Sequence, residues 1–227
     1  MKNLLLVAAL AFTLVGCGNE TERSGLGAAT SPIKALLQRG GTPPVLGDPN
    51  DPAIRAGIVA LREGFQKTGQ PLINTSNATL KYGALMAPFG GNNGVATWSS
   101  TGYQTASFRD GVLASTRGFG PDLMSSIVPT IATIAAARGT TQRRYSYLDG
   151  ADQPFSLDVA CTLAAAGNES IEIFAKPFMT RKVTETCAGP SVSFTNVYWF
   201  DKGINVRQSK QFFAPGLDTM FIQRVID

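Results

Sequence analysis

From Leu72 to its end the chain is a succession of short β-rich runs separated by turn residues, and that rhythm restricts it to an antiparallel architecture. Residues 95–99 stop at Thr101-Gly102. Residues 104–109 meet Asp110-Gly111 and continue as 112–117; Asp-Gly between two such runs is among the strongest hairpin signals. Alternation places Ala106 and Phe108 on one face of the first arm and Thr105, Ser107 and Arg109 on the other. Residues 143–148 run into Asp149-Gly150, and residues 155–163 are expected to stop at Gly167-Asn168. Further runs are expected at 170–175, 181–187 and 191–200, then, after Asp201-Lys202-Gly203, at 204–213 and 219–225. Runs this frequent with few helices predict a mainly β fold, an antiparallel β-barrel-like or sandwich domain with one or two short helices.

The helical signals are few. Asp51-Pro52 supplies a cap and a first-turn proline, and Ile54, Ile58, Leu61 and Phe65 recur on one helical face until Gly69. Ser31-Pro32 starts a brief turn through Ile33, Leu36 and Leu37, which Gly40-Gly41 ends. Residues 122–138 are rich in Leu, Met, Ile and Ala and predict a short helix, with Asp122 as its cap and Pro129 breaking or beginning it.

The N-terminus assigns the compartment. Lys2-Asn3 precedes an apolar run from Leu4 to Val15, then Gly16-Cys17, the order of a secretory signal. The run is about half of the roughly 20 residues that span a bilayer. Residues 127–137, interrupted by Pro129, are also too short to cross. Leu14-Val15-Gly16-Cys17 resembles a bacterial lipobox. That resemblance implies cleavage before Cys17, lipid on its sulfur and a fatty acyl chain such as palmitate on the new amino terminus. Two or more chains hold a protein stably to a membrane. Gly18 rather than Asp follows Cys17, which points to the outer membrane. The expected organisation is a signal peptide over 1–16, a lipidated Cys17 with a flexible tether over 17–50, and one β-rich domain over 51–227 with an N-terminal helix.

Composition removes several function classes. The chain has no histidine, which excludes serine–histidine and cysteine–histidine nucleophiles and the commonest metal ligand. No metal and no cofactor are expected. A net charge of +4 without a basic stripe excludes a nucleic-acid partner. With Cys17 lipidated, Cys161 and Cys187 remain as an even pair in an exported protein and predict one disulfide.

One longer motif is recognisable. Phe108-Arg109-Asp110-Gly111-Val112-Leu113-Ala114-Ser115-Thr116-Arg117-Gly118-Phe119-Gly120 followed by Asp122-Leu123-Met124-Ser125, with Trp98 before it, resembles the central motif of the group 4 capsule polysaccharide lipoprotein family (GfcB/YjbF). The lipobox and the Cys161, Cys187 pair agree. The resemblance extends from about Pro71 and implies a β-barrel-like domain at the periplasmic face of the outer membrane. It also implies a non-enzymatic accessory role in capsule or exopolysaccharide production or export, beside an outer-membrane or periplasmic export protein as partner. It carries no catalytic residue to this chain.

Trp98, Arg109, Arg117, Arg143, Arg144 and Tyr145 are the candidates for contact with glycan or partner. Aromatic faces stack on sugars, and guanidinium groups pair with anionic substituents. Against that, Trp98 and Trp199 are expected in the core, and Arg143 and Arg144 at a solvated strand end. The stretch 117–122 is expected to be a sharp structural exit from a strand, with Arg117 pairing with Asp122 or Asp110. Two alternatives stand beside the accessory role. One is a carbohydrate-binding module contacting the polymer directly. The other is a polysaccharide hydrolase, for which Asp149, Asp152, Asp158 and Glu172 are the available carboxylates.

Overall fold

A computed structural model of the chain describes residues 52–227. The signal peptide, Cys17, the tether, the turn at 31–37, the Asp51 cap and the Ile54 side chain lie outside the described residues.

Helix α1 (Pro52–Lys67) opens with proline at its first position. Its face buries Ile58 and Phe65, with Leu61 half-buried, against the sheet. Gly69, at a φ of 64°, ends it, with the Gly69 N–H donating to the Gln66 carbonyl. Arg55 on its outer side forms a two-point ion pair with Glu172.

Twelve strands follow: β1 (Leu72–Asn77), β2 (Tyr82–Asn92), β3 (Val95–Ser99), β4 (Thr105–Arg109), β5 (Val112–Arg117), β6 (Ser125–Ile127), β7 (Thr140–Leu148), β8 (Pro154–Ile173), β9 (Lys176–Ala188), β10 (Ser193–Phe200), β11 (Val206–Ala214) and β12 (Asp218–Ile226). All pair antiparallel in one sheet of order β5-β4-β3-β2-β1-β12-β11-β10-β9-β8-β7-β6. The two ends of that sheet, β5 and β6, are neighbours in the chain and curl towards each other. The Thr116 N–H donates to the Leu123 carbonyl at 2.9 Å, and Ser126 Oγ donates to the Leu113 and Ala114 carbonyls. The result is a nearly closed barrel.

Alternation decides what fills it. Ala106 and Phe108 on β4 face inward, as expected, while Arg109 is exposed. Trp98 on β3 pairs with Ala106 and lies on the same inner face. Met86, Leu113, Met220, Ile222, Phe213 and Phe119 complete one core. The second core gathers Val112, Leu163, Val183, Tyr198 and Phe200 beneath α2 (Ile131–Ala135). Cys161 and Cys187 are directly opposite on β8 and β9 and form the expected disulfide, both buried.

Three local expectations are corrected. Gly167-Asn168 does not end a strand: β8 runs through it to Ile173, with a bulge between Ala165 and Asn168 that absorbs the positive φ of Gly167. The helix expected over 122–138 shrinks to α2, capped by Thr130, whose Oγ1 accepts the Thr133 N–H. The residues before it form strand β6, because the barrel seam takes them. Asp122 caps no helix. Its carboxylate accepts the N–H groups of Gly118 and Phe119 and the hydroxyl of Thr116, locking the exit from β5. Arg117 pairs with neither Asp122 nor Asp110; it donates to the carbonyls of Thr116, Leu123 and Met124 across the same seam.

Candidate functional site

The barrel interior is crossed by a polar layer. Arg143 on β7 projects inward because it is in phase with Tyr145 and Tyr147, and it meets Glu185, which is in phase with Val183 and Cys187 on β9. The pair is two-pronged, Nε to Oε1 at 2.8 Å and Nη2 to Oε2 at 2.7 Å, and both side chains are essentially inaccessible. Asn196 Nδ2 and Thr141 Oγ1 donate to the same carboxylate, and Arg143 also donates to the hydroxyls of Tyr145 and Tyr198. Gln211 extends the layer across the barrel. It accepts from Tyr198 and the Leu113 N–H, and it donates to the Gly111 carbonyl. Burial works against the charge on Arg143, but Tyr198, Tyr145 and Glu185 around it raise its pKa further above the ordinary range. Burial also pushes the phenols of Tyr145, Tyr147 and Tyr198 upward. A buried charge persists only when paired and hydrogen-bonded, and this layer meets that requirement.

Above this layer, at the end of the barrel where β2, β4 and β12 finish and β3 and β11 begin, lies a cleft of about 530 Å³. That size falls within the range of about 300–1,000 Å³ usual for small-ligand sites. Trp98, Phe108, Ile73 and Ile222 form its apolar floor. Its rim is polar, with Asn92, Asn93, Asp110 and Arg224. Small residues keep it open: Gly91, Gly94, Ala96 and Gly111 line the wall. Gly111, at a φ of 87°, already sits so close to Val206 that an added Cβ would stand 3.3 Å from it. Arg207 also faces the cleft, but its charge is met by Asp201 at 2.6 Å and Asp227 at 2.9 Å, and its guanidinium stacks over Phe178.

The opposite mouth, where β8, β10 and β12 begin, holds a second hollow of about 660 Å³. It is lined by Phe155, Leu157, Phe194 and Phe212, the last two stacked with centroids 4.1 Å apart. Strand β11 carries cleft residues at its start, Gln211 in the middle and Phe212 at the far mouth. The packed core that runs from Trp98 and Phe108 to Phe212 separates the two hollows.

The six contact candidates are scattered. Trp98 lines the cleft, and Arg109 braces the cleft's β2–β3 hairpin by donating to the Asn93 carbonyl. Arg117 stitches the seam. Arg144 is exposed and paired with Asp158, whose carboxyl that hydrogen bond holds below the ordinary range. Arg143 and Tyr145 are 3% and 1% exposed. Their side chains reach no surface, and Arg143 corrects the expectation of a solvated strand end. Trp199 is 5% exposed and donates from Nε1 to Glu169, with the Lys182 ammonium over its ring. Sequence reasoning missed Glu185, Gln211 and Arg224. Glu185 was detectable as a charge in phase with two buried neighbours on an alternating strand.

The four carboxylates weighed for hydrolysis lie away from the cleft, three of them with partners of their own. Asp149 accepts the Ala151 and Gln153 N–H groups within its turn. Asp152 stands in that same turn at a φ of 58°. Asp158 pairs with Arg144, and Glu172 with Arg55. None of them lines the cleft. The cleft sets an apolar floor beneath the amides of Asn92 and Asn93, the guanidinium of Arg224 and the carboxylate of Asp110, an arrangement suited to holding a small ligand.

One solved structure shares the architecture. The crystal structure of the hypothetical lipoprotein YmcC from Escherichia coli K12 superposes with a TM-score of 0.65 at 15% identity, over 76% of this chain and 94% of that one. A protein from Bacteroides fragilis, described as exported and YmcC-like in fold, aligns at 0.36 with 11% identity, over 69% of this chain and 93% of its own. No curated protein matches the chain. The model of the group 4 capsule polysaccharide lipoprotein family, GfcB or YjbF, matches residues 60–225, from within α1 to the end of β12. A match over that span is decisive: the chain belongs to the group 4 capsule polysaccharide lipoprotein family.

Proposed function

We propose that the protein is a lipid-anchored component of the outer membrane, at its periplasmic face, which assists capsule or exopolysaccharide production or export without catalysing a reaction. The observation that carries this reading is the family match over nearly the whole described barrel. The Leu14-Val15-Gly16-Cys17 sequence supplies the anchor, with lipid on Cys17 and a tether to residue 50 that lets the barrel reach a partner at the membrane. The partner is an outer-membrane or periplasmic export protein. The employment of Asp149, Asp158 and Glu172 in turns and exposed ion pairs supports the non-enzymatic role.

The test is deletion of the coding sequence, complemented by wild type or by Cys17→Ala, with cell-surface polysaccharide measured. Cross-linking and mass spectrometry of the lipidated protein accompany it. Loss of surface polymer on deletion, restored by wild type but not by Cys17→Ala, is expected, together with enrichment of an export protein. Unchanged polymer in the deletion strain refutes the role.

A further inference from the structure

The cleft at the β2–β3 mouth is built for a ligand that nothing so far identifies. Its floor is apolar, with the 8% of Trp98 and 5% of Phe108 left accessible both turned to the cleft beside Ile73 and Ile222, and the apolar side of a sugar ring packs on such a surface. Its rim presents the amides of Asn92 and Asn93, which donate and accept hydrogen bonds as sugar hydroxyls require. The wall is left bare by Gly91, Gly94 and Ala96, so a flat ring has room to lie over the floor. The floor is firm, because Trp98, Phe108, Ile73 and Ile222 are members of the close-packed core behind them.

Charge narrows the class. Arg224 and Asp110 both face the cleft, one of each sign. Arg207 is held between Asp201 and Asp227, and Arg109, bonded to the Asn93 carbonyl, adds a cation at the hairpin, so the three arginines around the mouth are balanced by Asp110, Asp201 and Asp227. The mouth has no excess charge with which to select an acidic substituent. The packed core behind Trp98 and Phe108 also closes the bottom, so a chain cannot thread through the barrel and the site takes a short stretch or an end.

We propose that this cleft is a saccharide-binding site that takes an uncharged sugar ring of the surface polymer, seated on the apolar floor at Trp98; this rests on the polysaccharide role proposed above.

The experiment is calorimetric titration of the full lipidated protein in detergent micelles. The probe is short oligosaccharides released by partial hydrolysis from the bacterium's own surface polysaccharide. Ala96→Trp fills the cleft from an exposed position, on the same strand face as Trp98. Ala96→Phe replaces it if the larger side chain prevents folding. Phe155→Ala at the opposite mouth is the control. Wild type and F155A are expected to bind alike, and A96W to lose affinity by about tenfold or more, a change of about 1.4 kcal/mol. Between low and high salt the affinity is expected to hold within about twofold, since charge screening has little to act on. Equal binding by A96W, or no binding by wild type, overturns the site. A steep fall with salt overturns the uncharged class. If wild type does not bind while deletion still depletes surface polymer, the cleft fails and the accessory role stands. Binding together with normal polymer in the deletion strain leaves the cleft intact and refutes the role.

Discussion

Replacing Arg143 by Met tests whether the barrel depends on its buried polar layer. The substitution removes two charge-assisted bonds to Glu185 and leaves that carboxylate, 0% exposed, with only Thr141, Asn196 and Tyr198 as neighbours. Removing one partner of a buried ion pair costs about 3–5 kcal/mol, mostly the penalty of an uncompensated buried charge. Glu185→Leu strands the guanidinium instead and is expected to cost a similar amount. In the double variant Arg143→Met/Glu185→Leu no charge is left behind, and Met and Leu fill much of the same space. The two losses then fail to add, with an interaction energy of about 2 kcal/mol or more. The double variant is also more stable than either single one. Urea unfolding at neutral pH, followed by circular dichroism with the disulfide intact, measures all four free energies. Single losses below about 1 kcal/mol, or losses that simply sum, would refute the argument, because a well-hydrated pair behaves that way.

Three further expectations follow from the same structure. Replacing Cys161 and Cys187 by Ala frees a 26-residue separation and should lower stability by about 3–4 kcal/mol in urea; a loss under about 1 kcal/mol would contradict it. The phenols of Tyr145, Tyr147 and Tyr198 have folded pKa values raised by burial. Their contribution to stability is therefore full below the unfolded phenol value of about 10 and falls as pH rises beyond it, so absorbance titration should show them ionising together with unfolding. Gly189→Ala places a Cβ 2.5 Å from the Asp158 carbonyl, a backbone atom that cannot swing aside, and should cost about 1–3 kcal/mol in the same assay.

How much was legible depended on the range of the interaction. The β4–β5 hairpin was readable because Asp110 and Gly111 adopt positive φ, which their residue types favour. Helix α1 was readable from Ile58, Leu61, Phe65 and Gly69, all within a few turns. Gly167-Asn168 misled because the same glycine conformation serves a turn or a bulge, and only the pairing of β8 with β9 on both sides of it selects the bulge. Asp122 misled for a similar reason: a capping residue serves any loop whose N–H groups converge on it, here those of Gly118 and Phe119. Arg144 behaved as a strand-end arginine does, whereas Arg143, one residue earlier, turned inward. That difference follows from alternation once Tyr145 and Tyr147 are known to be core.

The sequence by itself determined the antiparallel β class, the disulfide pair and the family motif at residues 108–125, because these rest on residue type and short spacing. Tertiary structure alone decided that β1 pairs with β12, so that the sheet closes with β5 meeting β6, a contact no local pattern encodes. It also decided that Arg143 and Glu185, 42 residues apart, meet at the barrel centre. The cleft over Trp98 is of the same kind. Its lining runs from Ile73 to Arg224, and a concave surface assembled from six strands exists only after the sheet has closed.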